Sequence, residues 1–203
     1  MLVVDADAIE IRVLGCLIEK QRTTPDAYPL SLNALRLACN QATNREPVVE
    51  YDEPTIRSAL ERLSRKGWTR LASGAGSRAA KYRHLFDEAI RVSPAELSLL
   101  AVLMLRGPQT PGELKQRAER LHPFGSLAEI EDVLATLIEQ ELVARLARRP
   151  GQKEERYAHL LGENEPAEVA GAPIAGDRVA LLEHRVAKLE QALRTLQDEL
   201  DAR

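Results

Sequence analysis

Between Tyr51 and Leu85 the spacing of apolar residues changes period once, and the change separates two kinds of element. Ile56, Ala59, Leu60 and Leu63 recur at three- and four-residue intervals, which places them on one stripe of a helix. In front of them Asp52-Glu53-Pro54 supplies a side-chain acceptor, an acid, and a proline where a missing amide donor costs nothing. Gly67 stops the helix. Trp68 to Ala72 then reads as a strand, Ser73-Gly74-Ala75-Gly76-Ser77 as a turn, and Ala79 to Leu85 as the returning strand. A helix running into a hairpin with a basic tip is the second half of a winged-helix domain.

The preceding residues complete that order. Ile9, Val13, Leu14, Leu17 and Ile18 mark the buried side of an amphipathic helix from Ala6 to Gln21, which Thr23-Thr24-Pro25-Asp26 breaks. Tyr28-Pro29-Leu30 can supply a short strand, and Ser31 caps a helix through Leu32, Leu35 and Ala38 to about Gln41. The polar connection from Ala42 to Pro47 is longer than the turn of a tight helix-turn-helix.

The same pattern returns after a short connector, Phe86 to Val92. Ser93-Pro94-Ala95-Glu96 is a capping-box helix start. The residues that follow it, Leu97 to Leu105, are apolar on nearly every side and need burial on more than one face, which suggests an interface with the first domain or another subunit; the alternative is a single Leu-rich core helix within its own domain. Leu103-Met104-Leu105-Arg106 with Thr110-Pro111 echoes Leu17-Ile18-Glu19-Lys20 with Thr24-Pro25. Ile130, Val133, Leu134 and Leu137 repeat the helical stripe, and Leu142 to Ala147 repeats the first strand. Arg149-Pro150-Gly151-Gln152 stands in for the turn, and Arg156-Tyr157-Ala158-His159-Leu160 echoes Lys81-Tyr82-Arg83-His84-Leu85. Repeats of this length are each long enough for a small domain and too long for a solenoid unit.

The expected fold is therefore mainly α with small β-hairpins, an α+β chain built by tandem duplication. Residues 1–92 and 93–161 are the two expected winged-helix domains, residues 162–176 an acidic, Pro- and Gly-bearing linker, and residues 177–203 a terminal coiled-coil-like helix. In that helix Val179, Val186, Leu193 and Leu200 occupy one heptad position, and Leu182, Leu189 and Leu196 the other. A parallel homodimer would pair Arg178 and Arg185 with Glu183 and Glu190 of the second copy. The competing expectation is that the helix folds back on its own domain.

Several segments carry a resemblance. Leu14-Gly15-Cys16-Leu17-Ile18-Glu19-Lys20-Gln21, Tyr28-Pro29-Leu30-Ser31-Leu32-Asn33, Ala38-Cys39-Asn40-Gln41 with Asn44-Arg45-Glu46-Pro47, and Arg106-Gly107 with Thr110-Pro111-Gly112-Glu113-Leu114 resemble the YceH family of uncharacterised bacterial proteins. The resemblance spans roughly residues 8–161. It implies a pair of winged-helix domains and no established activity.

Composition narrows the function classes. The 203 residues are 44% hydrophobic, enough to bury real cores, and no apolar run approaches the roughly 18–20 residues of a membrane span. The N-terminal residues lack the basic and apolar regions of a signal peptide, so a cytoplasmic protein is expected, with no membrane partner. Cys16 and Cys39 sit on apolar helix faces outside any ligand-spaced pair and read as reduced core thiols. The four histidines are scattered, no phosphate-cradling glycine loop precedes a helix, and no metal or cofactor is implied; an enzyme is not expected.

The net charge of −3 conceals a gradient of +2 over residues 1–92, −1 over 93–162 and −4 over 163–203. Nucleic-acid binding must then rest on a local patch. With the stripe of the 52–66 helix facing inward, Arg57, Ser58, Glu61, Arg62 and Arg65 turn outward, where arginine can pair with guanine edges or phosphates and Glu61 can accept from cytosine. Arg78 and Lys81 extend this surface as a wing, and Arg45 lies on the preceding polar connection. The bland alternative is a solvated face in which Glu61 pairs with Arg57 or Arg65 four residues away. The corresponding face in the second half, Asp132, Ala135, Thr136 and Glu139, repels phosphate and suits a protein partner. Double-stranded DNA bound by the first domain in a regulatory role is the leading expectation. A tandem winged-helix interaction scaffold without direct DNA reading is the alternative.

Overall fold

Asp7 starts the first helix, α1 (Ala8–Thr23), through a capping box: its carboxylate accepts from the amides of Ile9 and Glu10 at 2.9 and 2.8 Å, and Glu10 accepts from the Asp7 amide at 2.9 Å. The computed structural model describes residues 6–72, 80–148 and 154–162. After α1 come β1 (Leu30–Ser31), α2 (Leu32–Cys39), α3 (Glu53–Arg65), β2 (Thr69–Leu71), β3 (Lys81–His84) and α4 (Phe86–Ile90). The second half runs α5 (Pro94–Arg106), α6 (Pro111–Ala118), α7 (Leu127–Glu139), β4 (Val143–Leu146) and β5 (Arg156–His159). This is an α+β arrangement of helices with small antiparallel sheets.

The two halves correspond down to individual hydrogen bonds. In the first repeat the sheet order is β1-β3-β2, with Leu30 opposite Tyr82 and Thr69 opposite His84. In the second, Val143 lies opposite His159, and Gln109 makes an isolated bridge to Tyr157 in the place that β1 takes beside Tyr82. The chain leaves α3 and α7 identically: Trp68 donates to the Leu63 carbonyl and Leu142 to the Leu137 carbonyl, both at 2.9 Å.

Two features differ from, or sharpen, the sequence reading. The Phe86–Val92 connector contains the short helix α4, whose buried Phe86 meets Trp68 edge-on at 5.1 Å. Only two of its five residues are buried, too few to show a helical period. Helix α5 is buried from Glu96 to Leu105 because both repeats cover it. Gly15 of α1 permits the approach: a Cβ there would lie 3.0 Å from the Leu105 side chain and 3.1 Å from Met104. The apolar residues of the two repeats consequently form one continuous core.

The glycine-rich turn with Arg78, the Arg149–Gln152 turn, residues 163–176 of the linker and the heptad positions Val179, Leu182, Val186, Leu189, Leu193, Leu196 and Leu200 lie outside the described residues. Among the described residues no helix is long and apolar enough to cross a membrane.

Candidate nucleic-acid interface

Helix α3 is held from one side only. Asp52 caps it by accepting from the Thr55 amide at 2.9 Å, and Ile56, Ala59, Leu60 and Leu63 are all at most 3% exposed. The 100° step between successive residues leaves Arg57, Ser58, Glu61 and Arg65 in solvent, as the spacing predicts. Arg57, Glu61 and Arg65 follow one another at four-residue intervals along this face. Among the described residues neither arginine is ion-paired with Glu61, so both guanidiniums are presented outward.

Arg62 belongs elsewhere, which corrects its assignment to the outward face. It is half-buried and donates to Asp7 Oδ2 at 2.6 Å and to Ser58 Oγ at 3.2 Å, and its Nε lies 3.7 Å from Glu10. Glu10 is 2% exposed, and Lys66 Nζ approaches it at 3.0 Å from the other side. A carboxylate buried this deeply requires cationic partners, and Arg62 and Lys66 supply them.

Arg45 is a second correction. The polar connection reads as an exposed loop, yet the Arg45 side chain is 0% exposed. Its guanidinium binds both Glu19 oxygens, at 2.6 and 3.2 Å, and also donates to Gln41 Oε1 and to the Ala38 and Asn44 carbonyls. Burial works against both charges, but the paired hydrogen bonds win: Glu19 is held below the usual carboxylate range and Arg45 above the usual guanidinium value. Arg12, also buried, donates to the carbonyls of Cys39 and Pro47 at 3.1 and 2.6 Å. Together the two arginines staple the 40–47 connection onto α1. Neither can meet a phosphate.

Beside α3 the sheet adds two exposed cations, Lys81 on β3 and Arg70 on β2. Strand alternation sets Arg70 on the face opposite Thr69, which is buried, a placement legible in the sequence once β2 is recognised. Its cross-strand neighbour is Arg83, half-buried and 3.9 Å from Glu88. Leu71, 55% exposed, ends β2.

The second repeat presents the opposite sign. Asp132, Ala135, Thr136 and Glu139 of α7 are exposed, with Glu131 and Glu141 beside them and Ile138 and Leu127 at 38% and 48% exposure. The repeat-equivalent histidines both make internal hydrogen bonds. His84 is buried with Nε2 2.7 Å from Gln21 Oε1, and burial pushes its pKa down to about 4 against the pull of Asp87. His159 is likewise pushed down to about 4 by burial, and its Nδ1 accepts from the Leu161 amide. Cys16 and Cys39 are buried free thiols.

A protein-family model described as "Protein of unknown function, DUF480" matches residues 6–152. Among curated relatives, a UPF0502 protein of Geobacter sulfurreducens is 50% identical over 195 residues, covering 93% of this chain and 88% of that protein. UPF0502 proteins of Citrifermentans bemidjiense and Serratia proteamaculans are 51% identical over 189 residues (89% and 87% covered) and 46% identical over 204 residues (95% of each).

Proposed function

The chain belongs to the DUF480 family of bacterial proteins, and we propose that its first repeat is a winged-helix module that binds duplex DNA with α3 in the major groove, in a regulatory role. The observation that carries this reading is the row Arg57, Glu61, Arg65 on a helix whose other side is the core, with both arginines unpaired to the acid between them. An α-helix fits the major groove, where arginine pairs with guanine and glutamate accepts from cytosine. Lys81 and Arg70 stand where backbone phosphates would flank such a helix. In this reading the protein acts in the cytoplasm as a homodimer through the 177–203 heptads.

A rival reading has its own support. The acidic α7 face, flanked by exposed Leu127 and Ile138, suits a protein partner and repels phosphate, so a tandem winged-helix scaffold is the alternative. Substitutions separate the two. Arg57→Gln and Arg65→Gln are expected to alter sequence preference, because each base-edge contact discriminates by about 1–3 kcal/mol. Arg70→Gln and Lys81→Gln are expected to weaken all sequences alike and flatten the salt dependence by about 0.9 log units per lost phosphate contact. Asp132→Asn with Glu139→Gln should leave preference unchanged. Indistinguishable losses from helix and sheet substitutions would contradict groove reading by α3.

A further inference from the structure

The C-terminal end of α1, the 40–47 connection, α5 and α6 enclose a cleft of about 730 Å³, walled by both repeats and apart from the α3 face. Four cations line it: Lys20, Arg106, Arg117 and Arg120. The one carboxylate among the described residues of its lining, Glu19, is already bound by the buried Arg45 and approached by Lys20 at 3.4 Å. Arg117 has Glu113 at 3.2 Å. Arg106 instead donates to the neutral side chain of Asn44, and Arg120 has no ion-pair partner among the described residues. With the ion-pair partners Arg45 and Glu113, which do not line the cleft themselves, the cluster holds five cations and two carboxylates.

This arrangement is electrostatically incomplete. Burial, then the neighbouring Arg117 and Arg45 charges, push the Arg106 guanidinium below its usual value, a crowding that a bound anion would relieve. Guanidinium forks match phosphate and carboxylate oxygens in pairs. The cleft wall from α5 is aliphatic, Ala101, Val102 and Leu105, and among the described residues no aromatic ring lines the cleft to stack on a base. A concavity of this size holds a small molecule rather than a duplex.

We infer that the cleft between the repeats binds a small polyvalent anion carrying two or more phosphate or carboxylate groups, held by Arg106, Arg117, Arg120 and Lys20. Because α1 and α5 belong to different repeats, the ligand braces one against the other and stabilises the fold by mass action. The inference is independent of DNA binding by α3.

Calorimetric titration of the full chain with sodium pyrophosphate and with citrate, at matched ionic strength, tests it. At least one polyanion is expected to bind tenfold more tightly than inorganic phosphate, and which one binds identifies the head group. Arg106→Gln and Arg120→Gln should each weaken binding at least threefold, and Arg145→Gln, on β4 away from the cleft, should not. Arg120 is exposed, so its substitution does not endanger folding. Two polyanions no tighter than inorganic phosphate would overturn the inference, as would unchanged binding by Arg120→Gln. Displacement of pyrophosphate by a short duplex would overturn it in favour of nucleic acid.

Discussion

Replacing Arg45 with methionine keeps much of the side-chain volume and deletes the charge, which isolates the role of the buried pair. In the wild type Arg45 makes five hydrogen bonds, two to Glu19, and is wholly enclosed, whereas the Glu19 side chain retains 14% exposure. Removing one partner of a buried ion pair costs about 3–5 kcal/mol because the other charge is left uncompensated. The residual exposure of Glu19 puts Arg45→Met at about 3 kcal/mol, the low end of that range. Glu19→Gln should cost less, and the double variant should lose less than the sum of the two, with a coupling of at least about 1 kcal/mol. Urea unfolding followed by the fluorescence of Trp68, the only tryptophan, measures all three. The pH dependence adds a check with a definite sign. Arg45 depresses the Glu19 pKa in the folded state, so the pair's contribution is complete above the unfolded carboxylate value and is lost as pH falls through the folded one. The gap between wild type and Arg45→Met should therefore be constant near neutrality and narrow in acid. An Arg45→Met variant within about 1 kcal/mol of wild type, or strictly additive single variants, would show that the buried pair does not hold the connection in place.

Trp68→Ala should cost about 3–5 kcal/mol, since the ring is 5% exposed and packed against Phe86, and wild-type emission should shift red on unfolding; an already red native spectrum would contradict this. Folded His84 and His159 resist protonation until about pH 4, whereas an unfolded histidine takes its proton near 6.5, so stability should be level above that pH and decline between the two values. His84→Asn should make that decline shallower, and an unchanged slope in equilibrium unfolding at stepped pH would count against it. If the heptads dimerise the chain, deleting residues 177–203 should turn a sedimenting dimer into a monomer, and a truncated protein of undiminished dimer affinity would exclude them as the main association element.

Some of this architecture was plain in the sequence for a physical reason. The stripes of α3 and α7 follow one helical period in short range, and the all-apolar run of α5 announced burial on more than one face, which α1 provides. The equivalence of Lys81–Leu85 with Arg156–Leu160 survives as shared strand register. Other features depend on residues far apart in the chain. Arg45 looked solvent-bound because its neighbours are polar, and its burial is set by Glu19, 26 residues earlier. Arg62 has the periodicity of an outward residue and is drawn aside by Asp7, 55 residues away, and by the buried Glu10. The cleft between the repeats joins Lys20 of α1, Arg106 of α5, and Arg117 and Arg120 at the end of α6, and no local pattern brings these three elements together.

The most direct test of the proposed function is quantitative binding of the whole 203-residue chain to a library of genomic fragments at two salt concentrations. DNA reading by α3 predicts enrichment of particular fragments, affinity that falls as salt rises, and loss of the enrichment in Arg57→Gln/Arg65→Gln. A correctly folded protein that binds no fragment more tightly than a neutral control at low salt would contradict DNA reading by α3 and leave the interaction scaffold.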